Sequence, residues 1–145
     1  MQLFTIGFTK KTAKEFFSLL NENGVKKIVD TRINNTSQLA GFAKGKDLAY
    51  FSKVILDIPY EHIIDFAPTQ DLLKRYRNKK ISWGEYENEY LKLLDNRKIF
   101  EQLEAESLDG ACLLCSEHLP DYCHRRLLAE AIQSHHPEFT IIHLR

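Results

Sequence analysis

Apolar positions along this chain switch between short continuous runs and runs at helical spacing. Residues 3–6 form an apolar run closed by Gly7, which reads as a first strand. Thr12-Ala13-Lys14-Glu15 has the form of a capping box, where hydroxyl and carboxylate satisfy free N–H groups at a helix start. Ala13, Phe16, Phe17 and Leu20 then fall on one helical face, and Asn23-Gly24 ends the helix. Residues 27–30 predict a second strand ending in Asp30. Residues 31–46 are polar and carry Asn34-Asn35, Gly41 and Gly45, a long loop of the kind that often serves function. Leu48, Phe51 and Ile55 continue as a helix, and Pro59 opens a third strand at 60–64. Thr69 caps a helix through Leu72, Leu73 and Tyr76. Ser82-Trp83-Gly84-Glu85 is a second capping box, followed by a packed face of Trp83, Tyr86, Tyr90 and Leu94. Ile99, Phe100 and Leu103 suggest one more helix. Residues 111–115 read as a fourth, buried strand. A helix starting near Asp121 carries Leu127 to Ile132, and residues 139–144 close the chain as a fifth strand.

Strands that alternate with helices imply an α/β fold: a three-layer, mostly parallel five-stranded sheet, with helices on both faces and a helical insertion between strands three and four. The length of 145 residues fits a single domain, 1–145. In such sheets ligands bind beyond the carboxyl ends of the strands. Those ends here supply Gly7 and Thr9, Asp30 and Arg32, Glu61 and His62, and Cys115 and Glu117.

Composition narrows the partners. Lys+Arg and Asp+Glu are both 20, so no whole-molecule attraction to nucleic acid or an acidic membrane is expected, although a local basic patch is compatible with this balance. No apolar run approaches the ~20 residues of a membrane helix. The first residues lack the charged start and apolar segment of a signal peptide, which makes cytoplasmic residence the expectation. Three cysteines argue against a disulfide framework and leave the thiols as core filler or as chemistry.

The chemistry concentrates between Gly110 and Ile132. Cys115, Glu117, His118, Asp121, Cys123, His124, Arg125 and Arg126 fall within twelve residues at one strand-to-helix junction. Cys123 in a first helical turn reads as a nucleophile or acid–base group, because free N–H groups and the helix dipole stabilise a thiolate there. It reads equally as a small buried residue. His124 either orients the loop or moves protons. Glu117 serves as a base beside Cys115 or bridges to an arginine. Arg125 and Arg126 are cations near a helix N-terminus and require compensation, from Glu117, from Asp121 or from an anionic ligand. Asp30 and Arg32 either project together from the rim or pair with each other.

Spacing tests the sharper alternatives. Cys112 and Cys115 stand three apart in a strand, on opposite faces, too far apart to share one metal, so Cys112 reads as core. Chelation by Cys115, His118, Cys123 and His124 together is the less favoured reading, and no metal ligand is assigned. No arginine closely follows Cys115 as a phosphatase loop requires. Only Gly7 stands where a dinucleotide fingerprint needs three glycines, so no such cofactor is expected, and no other cofactor is indicated. The basic run Lys74, Arg75, Arg77, Lys79 and Lys80 reads as a solvated helix face.

T-I-G-F-T at 5–9, V-D-T-R at 29–32, S-Q-L-A-G-F at 37–42, Y-E-H at 60–62 and L-C-S-E-x-x-P-x-x-C-H-R at 114–125 occur in one order. Together they resemble the prokaryotic domain-of-unknown-function 488 family over nearly the full length. The resemblance implies one α/β domain whose motif residues gather at one site: Gly7, Asp30, Arg32, Ser37, His62, Cys115, Glu117, Cys123, His124 and Arg125. The chain departs from the common pattern at Phe8-Thr9, Thr31, Asn34-Asn35 and Ala67-Pro68.

These readings point to an enzyme, a transferase or hydrolase, acting on a phosphate- or nucleotide-containing ligand. Cys115, Glu117, Cys123 and His124 are the expected catalytic residues. Gly7, Asp30, Arg32, Ser37, His62 and Arg125 are the expected substrate-binding residues. The alternatives are a non-catalytic nucleotide or nucleic-acid binding module with a regulatory role, and a Cys/His metal-binding protein.

Overall fold

The computed structural model describes residues 1–36 and 40–145. Five strands, β1 (Gln2–Gly7), β2 (Lys27–Asp30), β3 (Tyr60–His62), β4 (Ala111–Cys115) and β5 (Thr140–Leu144), form one sheet in the order β3-β2-β4-β1-β5. Every neighbouring pair is parallel. The last residues of the strands therefore lie on one rim. In the register, Gly7 stands beside Cys115, and Asp30 lies between Leu114 and His62.

Alternation along the strands sends side chains to two apolar layers. On one face Phe4, Ile6, Ile28, Cys112 and Leu114 pack with Phe16, Phe17 and Leu20 of α1 (Ala13–Glu22) and with Leu48 of α2 (Gly45–Phe51). On the other, Leu3, Val29, Ala111 and Leu113 meet Leu72 of α3 (Gln70–Arg77), Tyr86, Tyr90 and Leu94 of α4 (Trp83–Asn96), Ile99 of α5 (Ile99–Gln102), and Leu127, Leu128 and Ile132 of α6 (His124–His135). The insertion between β3 and β4, α3 to α5, covers this second face.

Local signals explain where helices start. The Thr12–Glu15 capping box closes in both directions, with Glu15 N donating to Thr12 Oγ1 at 3.1 Å. Ser82 and Glu85 do the same for α4, and Thr69 caps α3 through Leu72 N. Three boundaries differ from expectation. The third strand stops at His62, because the chain turns into a 3₁₀ segment at Ile64–Phe66. The helix after β2 begins at Gly45 and widens into a π turn at Ser52–Leu56. The sixth helix starts at His124 rather than near Asp121, so Cys123 is its extended N-cap and stands just before the first turn. No helix among the described residues is long and apolar enough to cross a membrane.

Candidate functional site

The rim is organised by two buried arginines. Arg125, in the first turn of α6, is fully buried. Its Nη1 donates to Cys115 Sγ at 3.1 Å and to the Glu117 carbonyl, its Nη2 to the His118 carbonyl at 3.2 Å, and its Nε reaches Thr5 Oγ1 at 3.4 Å. It thus holds residues 116–118 over the end of β1. Thr9 adds a backbone bond to the Ser116 carbonyl at 3.2 Å, and the Thr9 hydroxyl donates to the same oxygen. Gly7 permits this closure, since a β-carbon there would overlap the Glu117 carbonyl. Burial pushes the Arg125 pKa down to about 10. Among the described residues no carboxylate forms an ion pair with it, and the charge of Glu117 is among those that favour its cationic form.

Cys115 closes β4, and Cys123 caps α6. Both are buried, and the structure joins their sulfurs as a disulfide, against the expectation of free thiols, with Cα atoms 7.8 Å apart. His124 lies beside them: the two sulfurs and one ring nitrogen are within 4.8 Å of one another. His124 Nε2 is 2.8 Å from the Thr31 carbonyl and 3.0 Å from Thr31 Oγ1, whose own hydrogen goes to the Leu114 carbonyl at 2.8 Å. A carbonyl only accepts, so the network assigns the proton to Nε2 and leaves the lone pair on Nδ1. Burial pushes the His124 pKa down to about 4, which keeps the ring neutral near pH 7. The other thiol, Cys112, is fully buried on the opposite face, and burial raises its pKa well above the ordinary thiol value.

The second arginine, Arg32, follows β2. Its Nε donates to Asp30 Oδ1 at 2.9 Å, and its Nη2 to Asp30 Oδ2 at 2.7 Å and to the Ala43 carbonyl at 2.7 Å. The Phe8 ring lies 5.2 Å from its guanidinium carbon. Nη1 is buried and has no partner among the described residues. Behind this pair, Tyr60 donates to Asp30 Oδ2 and accepts from Asn35 Nδ2 at 2.9 Å. Burial, and then the bond to Asp30, push the Tyr60 phenol up to about 12. His62 Nε2 lies 2.6 Å from the Arg32 carbonyl and so donates to it, while Nδ1 accepts from Asn35 Nδ2 at 3.2 Å. Both ring nitrogens are therefore engaged in holding the 31–35 segment.

A cavity of about 660 Å³ opens between these two halves. Arg32, Cys115, Ser116, Glu117, Cys123 and His124 line its sheet side, while Lys74, Arg77, Trp83 and Tyr86 line the side formed by α3 and α4. Stacked and edge-on rings run from Tyr122 to Trp83 (5.5 Å), Tyr86 (5.1 Å), Tyr90 (6.4 Å) and His124 (5.5 Å). Exposed Glu117 is the acidic side chain among the described lining residues, which also include the cations Arg32, Lys74 and Arg77.

Residues 12–132 match the family model described as Domain of unknown function DUF488, which is most of the chain. The chain belongs to the DUF488 family. No curated protein and no solved structure matches it.

Within this DUF488 chain the sequence-predicted residues separate into three groups. Arg32, Cys115, Glu117, Cys123 and His124 meet at the cavity. Gly7, Asp30, His62 and Arg125 stand behind it: Gly7 gives room, Asp30 and His62 hold Arg32 and its segment, and Arg125 holds Cys115 and residues 116–118. Ser37 lies outside the described residues. Sequence reasoning missed Asn35 and Tyr60, whose only signals were the polar loop and the Y-E-H motif. It also missed Lys74 and Arg77 as lining residues. Of the basic run, Arg75 is the member tied up at the surface, with Asp71 and Glu89.

Proposed function

We propose that this protein is an enzyme, a transferase or hydrolase, that acts on a phosphate- or nucleotide-containing ligand in the 660 Å³ cavity. The observation that carries the reading is Arg32 Nη1. It is a buried cationic donor on a residue that lines the cavity, and no described group accepts its hydrogens. An unsatisfied buried donor costs ~1–3 kcal/mol, and an anionic oxygen removes that cost with a charge-assisted bond. Asp30 neutralises the arginine on its other edge and fixes its orientation. Lys74 and Arg77 at the rim draw anions inward. The rings of Trp83 and Tyr122, both partly open to solvent on the lining, offer a stacking surface for a base or another flat group.

The reacting groups in this reading are Glu117 and the Cys115, Cys123 and His124 cluster. Glu117 is solvent-accessible and free to take a proton from an attacking water or hydroxyl. Arg125 is a positioning residue for Cys115 rather than a contact for the ligand.

Trp83 is the chain's single tryptophan and lines the cavity, so its fluorescence reports occupancy. Inorganic phosphate and a panel of nucleoside mono-, di- and triphosphates are titrated against wild type, Arg32→Lys and Arg77→Ala, with product formation followed by chromatography. The expected result is a saturable signal weakened at least tenfold by Arg32→Lys, less by Arg77→Ala, and turnover of a bound compound that Glu117→Gln abolishes. Binding without turnover supports a non-catalytic module instead. The absence of any binding, or equal binding by the Arg32 variant, refutes the anion site.

A further inference from the structure

We infer that Cys115 Sγ, Cys123 Sγ and His124 Nδ1 bind one divalent transition-metal ion of the zinc class, with its fourth position open to the cavity. Four observations converge on this. The two sulfurs and one His124 ring nitrogen already lie within 4.8 Å of one another although they come from a strand end, a helix cap and a helix start. His124 Nε2 is tied to the Thr31 carbonyl at 2.8 Å, which presents Nδ1 as the donor. A carbonyl holding the far nitrogen of an imidazole is the support that metal-bound histidines receive, because it fixes ring orientation and raises donor strength.

The cysteine backbones argue in the same direction. Their Cα atoms are 7.8 Å apart, wider than the ~4.4–6.8 Å over which disulfides close. In the reduced protein, two thiols held at that backbone separation suit a bridging ion better than the sulfur–sulfur bond that joins them in this structure. Charge is the fourth observation. Arg125 Nη1 reaches Cys115 Sγ at 3.1 Å and would offset one thiolate of the reduced pair, whereas Cys123 Sγ has no such contact among the described residues. A divalent ion balances the pair. Two thiolates and an imidazole are a borderline-soft donor set that favours zinc over magnesium or calcium.

All three donors line the cavity, so a three-ligand site here keeps an open position, the arrangement of catalytic rather than structural zinc. Glu117 and Arg32 line the same cavity and are not donors to the ion. His118, included when spacing alone was considered, is not one of the group: its Nδ1 lies 3.3 Å from Lys11 Nζ. The inference deepens the proposed activity by making the cysteines ligands rather than nucleophiles. It rests on that reading only for the use of the open position, and the metal site itself stands without it.

The test uses the full chain purified under reducing conditions without chelator. Elemental analysis is expected to find about one zinc or iron per chain. Chelator-treated protein reloaded with Co²⁺ should show visible tetrahedral absorption and a near-ultraviolet thiolate charge-transfer band. Both should be lost in Cys115→Ser and in Cys123→Ser and retained in Cys112→Ala. Folding of each variant is checked by circular dichroism, and wild-type reloading gives a result even where a variant does not fold. Folded wild-type protein that takes up neither Zn²⁺ nor Co²⁺ overturns the inference. So does a cobalt spectrum indifferent to both cysteine substitutions, or mass analysis showing Cys115 and Cys123 oxidised to each other in protein taken directly from cells. Phosphate titration of the metal-loaded protein separates the two readings: metal uptake without phosphate binding leaves the metal site and removes the anion site, and the reverse result does the opposite.

Discussion

Gly7→Ala puts the closure of the rim to a direct test. Gly7 does not adopt a left-handed backbone, so alanine meets no conformational penalty there. Rigidifying the unfolded chain would even favour the variant by ~0.4–1 kcal/mol. Space decides the outcome. The added carbon would overlap both the carbonyl oxygen and the carbonyl carbon of Glu117 and would lie 3.1 Å from Arg125 Nη1. Backbone rather than a flexible side chain must move, and forcing a methyl group into packed structure costs ~1–3 kcal/mol. The displaced segment also stretches the Arg125 bonds to Glu117 O and Cys115 Sγ, and hydrogen bonds to a charged group are worth ~1.5–3 kcal/mol each. Partial loss of one of them brings the net destabilisation to about 2–3 kcal/mol. Gly84→Ala is the control. Gly84 is exposed in the first turn of α4, with only Ser82 Oγ near, at 3.9 Å, and alanine there should stabilise by ~0.5 kcal/mol. Urea unfolding followed by circular dichroism should therefore lower the Gly7→Ala midpoint by ~1 M with an unchanged slope, and raise that of Gly84→Ala slightly. If both midpoints shift upward, the Glu117 carbonyl does not occupy the missing side chain's place, and the account of the rim fails.

Two further predictions concern the thiol and phenol groups. Tyr60 is an acid whose folded pKa, about 12, lies above its ordinary value of 10.0, so it contributes stability that is fully present below pH 10 and lost as pH rises toward 12. Comparing wild type with Tyr60→Phe, a weaker alkaline decline in the variant and one fewer late-titrating phenol by absorbance are expected; identical profiles would remove the bond to Asp30 from the argument. Cys112 is fully buried and its thiol is held protonated by burial, so iodoacetamide should leave it unmodified in the native protein and modify it in urea, as read by peptide mass mapping. Rapid native labelling of Cys112 would place it outside the core layer described above.

Much of this architecture is legible in the chain because its causes are local. Capping at Thr12, Thr69 and Ser82 depends on residues three apart, and all three helices start where those residues stand. The alternation of strands with helices implied parallel pairing, and parallel pairing puts every strand's carboxyl end on one rim. Cys112 was separable from Cys115 by the strand's two-residue period alone, and they do face different layers. The family motifs likewise marked residues that gather near the rim, since a motif is itself a local string.

Tertiary structure decided which partner each rim residue takes. Asp30 and Arg32 pair with each other because both are withdrawn from solvent beside β3 and residue 43, leaving one guanidinium nitrogen without a partner among the described residues. His62 was equally readable as a ligand-binding group, but its bonds to Arg32 O and Asn35 depend on β3 lying against β2. Arg125 turns inward because β4 is inserted between β1 and β2, which brings Gly7 beneath residue 117. The aromatic wall and the rim cations come from α3 and α4, and nothing in their sequence says which sheet face they cover. The chain alone determined which chemical groups this protein carries and at which element ends they stand. The sheet order β3-β2-β4-β1-β5 decided which of them face the cavity and which are used up holding it in shape, because hydrogen-bond partners far apart in sequence are chosen by strand register.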